Sequence, residues 1–527
     1  MTELAIAALL VLAGTVHALS FAPDPISAWL IGPTNIAMLA LLITAIWAAP
    51  SRATAVWRGW IFSVSSFCVG LYWLTISMNV SGHMPLPLAG AALFALSAYL
   101  AIYPAAAAYL AYRFKPSRTA SLAGVLAWAS SWTLTEWLRG TVFTGFPWLN
   151  TGYSQLETYL GGWAALGGVY LVTFLSALLA GLLALVLFKP LQSLLPTKRS
   201  ILNLTAACLV TLGGGWLIDQ QAWTTPAGDP LNARLVQGGI EQDMKFEPEK
   251  ILAHIEQHRV LALGSTLAEQ RPALVLIPET AMTVFQDQVS PSVWQAWINL
   301  ASEQNSTIML GAPLLNRQER RYTNSVIAID QDTPLSQLTT GQVDRRYDKH
   351  HLVPFGEFIP WGFRWFVDLL HIQMGDFDRG LKNQTSFKIR DQLIGPNICY
   401  EDVFGEELIA TVDTSSKQTD ATILANFSNL AWFGDSWALR QHWQMSRMRA
   451  IETSRPMLRS TNTGITGAID HKGHALGTLP TMLPGILDIT VQGQRGQTPY
   501  ARLGNMPILL LSLGFLIWLY IRQRTTR

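Results

Sequence analysis

Ala273-Leu274-Val275-Leu276-Ile277-Pro278-Glu279-Thr280 places five aliphatic residues in a row and ends them with a proline and an acid. A run that short, apolar at every position, reads as a strand covered on both faces. Residues 247–268 and 291–304 read as helices, and 234–237, 307–310, 323–329, 386–398, 421–426 and 457–469 as strands. Strands that alternate with helices and then pair predict an α/β layered domain in which helices cover two sheets. Glu279 stands just past a buried strand, on the edge where such domains gather active residues. A carboxylate there suits a general base, and it equally suits an ordinary strand-terminal acid.

Outward from this block the composition changes. The whole chain of 527 residues is 50% hydrophobic and 14% charged, too apolar for an ordinary soluble protein. The excess lies in residues 4–20, 26–48, 57–77, 84–111, 120–138, 162–188 and 201–218, and again in 503–521. Each run approaches or exceeds the roughly 20 residues a helix needs to cross a bilayer core of about 30 Å, which predicts about eight transmembrane helices. If the N-terminus is cytoplasmic, eleven basic residues, among them Arg52, Arg58, Arg113, Lys115, Arg522 and Arg524, fall on inside connections, and Arg139 alone on the opposite ones. That bias puts 219–500 outside the cytoplasm and both termini inside. Residues 1–20 read as an uncleaved first helix, since no basic residue precedes the apolar run and Glu3 does. The expected organisation is a seven-helix membrane domain (1–218), an external catalytic domain (219–500), and a last helix with a basic cytoplasmic tail (501–527).

Gly161, Gly162, Gly168 and the alanines at 105–108 predict closely packed helices. Glu136, the only acid within the apolar segments after Glu3, is expected to pair with Arg139 or reach water, or else to meet a lipid headgroup. Residues 143–148 read as aromatics at an interface. No chain of buried acids and no repeated pair of broken segments supports transport.

The external block carries 24 basic and 31 acidic side chains, a formal charge of −7, with no basic stripe for nucleic acid. Lys349 lies in Arg345-Arg346-Tyr347-Asp348-Lys349-His350-His351, which alone reads as a solvated patch. Beside it Phe355, Phe358, Ile359, Trp361, Phe363, Trp365 and Phe366 form an aromatic stretch that is costly on a water-facing surface and suits an acyl chain. His350 and His351 have no compact ligand spacing around them, so neither metal nor cofactor is expected. Cys68 and Cys208 sit in apolar segments and read as packing residues, whereas Cys399 closes the run 393–398 and precedes Glu401 and Asp402. On position alone Cys399 reads either as a nucleophile or as a core residue.

Taken in order, Pro278-Glu279-Thr280, Asp348-Lys349-His350-His351-Leu352-Val353-Pro354-Phe355-Gly356-Glu357 and Asn397-Ile398-Cys399-Tyr400-Glu401-Asp402 resemble the Glu, Lys and Cys signatures of the nitrilase superfamily. With seven apolar segments before and one after, the chain is similar to one branch, the bacterial apolipoprotein N-acyltransferases. The resemblance extends through Asn426-Phe427-Ser428-Asn429, Trp432-Phe433 and Gln441-His442; Phe246 stands where several relatives carry tryptophan. It implies an α-β-β-α sandwich on the periplasmic side of the inner membrane. It also implies transfer of a fatty acyl group, preferably from phosphatidylethanolamine, to the α-amine of a diacylglyceryl-modified N-terminal cysteine of an apolipoprotein. By the same resemblance Glu279 is general base and acid, Lys349 stabilises the oxyanion, Cys399 is the nucleophile, and Glu357 and Glu401 support them. Phe355, Phe358, Trp361, Trp432 and Phe433 are candidates to line the substrate path, and a monomer is expected. A soluble-substrate amidase and a non-catalytic membrane scaffold are the competing readings.

Overall fold

The computed structural model describes residues 2–21, 26–116, 121–187, 197–264, 271–362, 364, 376–416 and 419–525. Two units divide the chain: Met1–Thr75, Met84–Ala222 and Thr498–Arg527 form one, Ile76–His83 and Trp223–Gln497 the other.

The first unit is helical. Its helices are Glu3–Leu19, Ala28–Trp47, Arg52–Gly70, Leu86–Leu100 leading into Ile102–Arg113, Ser121–Arg139, Ala164–Leu187, Thr197–Asp219 and Met506–Thr525, with short turns between them. Among the described residues, five helical stretches can cross a membrane by length and composition, or six if Arg52–Gly70 and Leu74–Ser81, bent by 58°, count as one. The count of eight is therefore not reached by this criterion. Glu3–Leu19 has only 17 residues, and Ser121–Arg139 dilutes its apolar face with serine, threonine, Glu136 and Arg139.

Small residues do bring these helices together. A Cβ on Gly14 would lie 2.2 Å from the Phe62 carbonyl oxygen, and one on Gly59 would lie 2.7 Å from Ala108 Cβ. Glu136 and Arg139 are both buried, and among the described residues no ion pair joins them directly. The Glu136 carboxylate accepts from Thr151 N (3.1 Å), Thr151 Oγ1 (2.8 Å) and Thr173 Oγ1 (3.0 Å). Arg139 donates to the carbonyls of Phe146 and Trp148 and to Asn150 Oδ1, at 2.6–2.8 Å. Each charge ties a helix end to the irregular stretch that follows, where backbone groups have no ladder of their own. Of the supposed interfacial aromatics Phe143 is exposed, but Trp148 is buried against Trp73.

The second unit is built on two six-stranded sheets. One runs in the order Gly485–Val491, Leu231–Gln237, Leu274–Ile277, Thr307–Asn316, Arg321–Ile329, Arg346–Asp348; the other in the order Ala475–Thr478, Gly467–Ile469, Met457–Thr461, Ile423–Ser428, Gln392–Ile398, Phe387–Ile389. Strand Leu274–Ile277 pairs in parallel with both neighbours. Its alternate residues enter different cores, which is why no position on it is polar. Leu274 and Leu276 pack between the sheets with Leu235, Met309, Ile394, Ile398, Phe427 and Leu458. Val275 and Ile277 pack outward against Trp294, Trp297 and Ile298 of helix Pro291–Gln304. That helix starts where Ser290 accepts from Ser292 N ahead of Pro291, and stops at Asn305 in a left-handed conformation. Helix Trp437–Thr453 buries Met445 and Met448. The layering is the expected α-β-β-α sandwich.

Several strands run longer or lie a few residues from the expected bounds, as Thr307–Asn316 does against 307–310, and three elements differ more. Residues 386–398 form two strands because Arg390 turns with positive φ. Residues 457–469 likewise split, since Thr466 turns back to bond Thr461 N and Oγ1. The helix expected over 247–268 spans Ile251–Leu263 and ends at Gly264, whose φ is +54°; 265–268 lie outside the described residues. Phe363, Trp365 and Phe366 also lie outside them.

Gly14→Ala is expected to lower the thermal midpoint of the detergent-purified protein, at a cost of about 1–3 kcal/mol. Gly90→Ala, where an added Cβ meets nothing within 4 Å, should not lower it.

Candidate functional site

Glu279, Lys349 and Cys399 come from ends of three different strands, two in one sheet and one in the other. Glu279 follows Leu274–Ile277 through Pro278 and is buried. The next residue, Thr280, has φ +50°. Gly311 on the adjacent strand makes this turn possible, because a Cβ there would lie 2.4 Å from the Pro278 carbonyl oxygen and 2.6 Å from Glu279 Cα. Glu279 Oε1 accepts from Lys349 Nζ (3.2 Å) and Asn324 Nδ2 (2.7 Å), and Oε2 accepts from the Asn429 backbone N–H (2.8 Å).

Lys349 follows strand Arg346–Asp348 and is 1% exposed. Its ammonium donates to Glu279 and, at 2.9 Å, to Glu357 Oε1. Glu357 also accepts from Asn324 Nδ2 (2.7 Å) and, through Oε2, from Val353 N (2.8 Å), so it is fixed before it fixes the lysine. Burial alone would pull the Lys349 pKa down. The carboxylates of Glu279 and Glu357 overcome that and hold it well above the ordinary lysine value. Held charged by its two carboxylates, this lysine suits the stabilisation of an anion rather than the role of a base.

Cys399 ends strand Gln392–Ile398 and opens the 3-10 turn Cys399–Val403 with φ +51°. A non-glycine residue held there stores strain of about 1–3 kcal/mol. Its side chain is half-buried. Desolvation, then the Glu279 carboxylate, push the thiol well above its ordinary value, against the opposing pull of Lys349. At rest the sulfur therefore carries its proton.

Glu401 and Asp402, adjacent in sequence, hold this turn from two sides. Glu401 Oε2 accepts from Ile398 N (2.6 Å) and Tyr347 OH (3.0 Å), while Oε1 accepts from His350 N (2.6 Å) and His351 N (3.1 Å). One carboxylate thus joins the cysteine turn to the lysine loop. Burial raises its pKa despite those donors. Asp402 Oδ1 accepts from His442 Nε2 at 2.6 Å, and Oδ2 accepts from Arg459 Nη1 at 3.0 Å and from Ser446 Oγ. Arg459 Nη2 lies 3.1 Å from His442 Nδ1. A guanidinium only donates, so Nδ1 accepts and Nε2 carries the proton. The same Nε2 lies 3.2 Å from the Cys399 carbonyl oxygen, which also accepts from Asn426 Nδ2 at 3.2 Å.

All five residues singled out in the sequence as catalytic or supporting meet at this site. The aromatic candidates divide: Phe355, Trp361 and Trp432 are exposed, Phe358 and Phe433 half-buried. His350 and His351 turn to the Gly380 carbonyl and to Glu407. Sequence reasoning missed Asn324, which bridges both glutamates, and gave no role to Asn429 or to the Asp402–His442–Arg459 set. The signal for Asn324 was present: Thr323-Asn324-Ser325 is a polar triplet directly ahead of the apolar run Val326-Ile327-Ala328-Ile329 of the same strand. All three of its side chains are buried.

Asp402 is desolvated, yet His442, Arg459 and Ser446 hold its pKa below the ordinary carboxylate range. Its contribution to stability is present above its unfolded value near 3.9 and is lost as pH falls through the lower folded value. Asp402→Asn should cost about 3–5 kcal/mol at pH 7. The loss should shrink when thermal midpoints of variant and wild type are compared towards pH 3.

Two family models match the chain. The apolipoprotein N-acyltransferase N-terminal domain matches residues 13–182 and carbon-nitrogen hydrolase matches residues 232–500. An apolipoprotein N-acyltransferase of Bordetella bronchiseptica is 46% identical over 97% of this chain and 95% of its own. Another, from Ralstonia nicotianae, is 40% identical over 98% and 94%. Nit3 of Saccharomyces cerevisiae, a nitrilase-superfamily structure, aligns with 50% of this chain and 91% of its own at 16% identity and a TM-score of 0.36. That last likeness carries no argument; the sheets above and the hydrolase match carry the fold. The full-length relatives carry the rest: the chain belongs to the apolipoprotein N-acyltransferase family and is an acyltransferase of lipoprotein N-acylation.

Proposed function

We propose that the chain moves a fatty acyl group from a phospholipid, phosphatidylethanolamine by preference, to the α-amine of an N-terminal S-diacylglyceryl-cysteine through a thioester on Cys399. The observation that carries this reading is the state of the three groups together: a protonated thiol, a carboxylate and a permanently charged ammonium around one buried point. Glu279 takes the Cys399 proton as sulfur attacks the ester carbonyl. Lys349, with a backbone N–H near Tyr400, stabilises the tetrahedral oxyanion. Collapse breaks the ester C–O bond, and the proton held by Glu279 goes to the departing lysophospholipid oxygen.

In the second half the lipoprotein amine attacks the thioester. Its pKa near 8 leaves an appreciable neutral fraction. Glu279 takes the amine proton and returns it to sulfur as the C–S bond breaks, so the enzyme ends as it began and the kinetics are ping-pong. Glu357 orients Lys349, and Glu401 sets the distance between the lysine loop and the nucleophile turn. Phe355, Phe358, Trp361, Trp432 and Phe433 line the acyl path and keep water from the thioester.

The same reading sets the chain in a bacterial inner membrane with eight crossings, residues 219–500 in the periplasm, and both termini in the cytoplasm. Its boundaries are 1–218, 219–500 and 501–527, and it acts as a monomer. A membrane tether suits such a substrate, since moving a lipid chain into water costs about 0.8 kcal/mol per methylene. An amidase acting on a soluble substrate would use the same three groups, and would not collect label from a lipid.

Incubated with phospholipid labelled in its acyl chain, the purified protein is expected to acquire label that hydroxylamine releases. Cys399→Ala should acquire none, and Lys349→Met should label at least about a hundred-fold more slowly, the scale set by removal of one oxyanion donor. Label that persists in Cys399→Ala would sink the assignment. Adding a diacylglyceryl peptide with a free amine should discharge the wild-type label onto the peptide, read by its mass.

A further inference from the structure

Lys245 is a second buried lysine beside Glu279, and nothing in the proposed chemistry uses it. It ends the short helix Gln242–Lys245 and is 1% exposed. Its ammonium donates to Thr280 Oγ1 at 3.0 Å and to the Glu279 carbonyl oxygen at 3.4 Å. Both acceptors are neutral, and among the described residues no carboxylate forms an ion pair with it. A buried charge without a paired carboxylate costs several kcal/mol, and a glutamine would satisfy the same two acceptors without that cost. The charge itself must therefore have a use, and the acid close enough to feel it is Glu279.

We propose that Lys245 is a positioning residue that sets the basicity of Glu279. Charged, it adds a second cation beside the carboxylate and disfavours transfer of the Cys399 proton to it. When Lys245 gives its proton to water, Lys349 remains as the cation on Glu279, and the carboxylate becomes the stronger base. Its hydrogen bonds also hold the Glu279–Thr280 turn in the left-handed conformation at Thr280.

Burial, partly offset by Glu279, brings the Lys245 pKa down to about 7, within the working range. The other titratable groups that face it are His254 and His258 of helix Ile251–Leu263. Burial first, and the charge of Lys245 among the other causes, lower both, His258 to about 4, so neither changes charge above pH 7. Segment Ser77–Ser81, which packs on helix Gln242–Lys245, and Asn429, which bonds Gln242, bring no titratable side chain. The cations that act directly on Cys399 are Lys349 and Arg459, so the effect of Lys245 on the thiol passes through Glu279.

This inference rests on the reading of Glu279 as base, and its test does not depend on any lipid substrate. The full-length protein in detergent is alkylated with iodoacetamide between pH 5.5 and 9.5, and modification of the Cys399 peptide is followed by mass. In wild type the rate should rise on the order of ten-fold across an ionisation near neutrality, the scale of removing one nearby charge. Lys245→Met should lack that step and stay at the upper level. Lys245→Arg, which keeps charge and donors, should lack it and stay at the lower level. A step that persists in both variants, or a shift of both in the same direction, overturns the role of Lys245. If Glu279→Gln leaves rate and step as in wild type, the reading of Glu279 as base falls, and this inference with it. Should Lys245→Met fail to fold, the Lys245→Arg profile alone decides.

Discussion

The ammonium of Lys349, buried between Glu279 and Glu357, is the interaction on which the site depends. An unpaired cation at that depth would cost several kcal/mol, and each partner comes from a different part of the chain. Glu279 arrives from one strand end, Glu357 from the loop eight residues beyond the lysine, and Asn324 from the strand between them, with one amide bonded to both carboxylates. Two carboxylates around one ammonium leave the cluster with a net charge of −1. Burial comes first among the reasons Cys399 holds its proton, and the second negative charge that a thiolate formed by loss of a proton to water would add beside Glu279 comes next. Transfer of that proton to Glu279 leaves the net charge unchanged. The site therefore opposes a standing thiolate and permits one that forms only as a proton crosses to the neighbouring carboxylate.

A strained turn requires a rigid frame, and the two acids after Cys399 supply it in opposite directions. Glu401 accepts four hydrogen bonds that tie the start of the turn to the backbone after Lys349. Asp402 points to His442, Ser446 and Arg459, and His442 reaches back to the Cys399 carbonyl. The left-handed conformation at Cys399 is thus over-determined from both faces of the sheet, the condition under which such strain persists.

Local pattern decided how much of this was legible beforehand. Strand Leu274–Ile277 and helix Pro291–Gln304 carry their burial and caps in their own residues and were readable to within a residue or two. The strands split at Arg390 and before Thr466 were not, because the turn at Arg390 depends on a positive φ and the other on a bond between Thr466 and Thr461. Glu279, Lys349 and Cys399 were singled out by ordered motifs, and the structure brings them together. Asn324, Asn429 and Lys245 were not, since a buried polar residue becomes informative only once its partners from distant strands are in place. Glu136 shows the same limit from the other side. An acid three residues before an arginine suggested a pair, yet their hydrogen bonds go to backbone, hydroxyl and amide groups of the chain that follows.

The aromatic side chains of the catalytic unit complete the physical picture on the proposed reading. Phe246, Phe355, Trp361 and Trp432 are all exposed, and Trp361 is 98% so. Apolar surface left in water forgoes about 25 cal/mol per Å², and large side chains of this kind are otherwise buried throughout the two cores of the unit. A hydrolase with a soluble substrate gains nothing from such residues, whereas an enzyme that must draw an acyl chain out of a bilayer recovers the cost when the chain arrives. Their exposure then follows from the same requirement as the uncharged thiol: both change state only when substrate is present, the rings by covering an acyl chain and the sulfur by giving its proton to Glu279. On that reading the covered rings keep water away at the step where the proposed thioester would otherwise be lost to it.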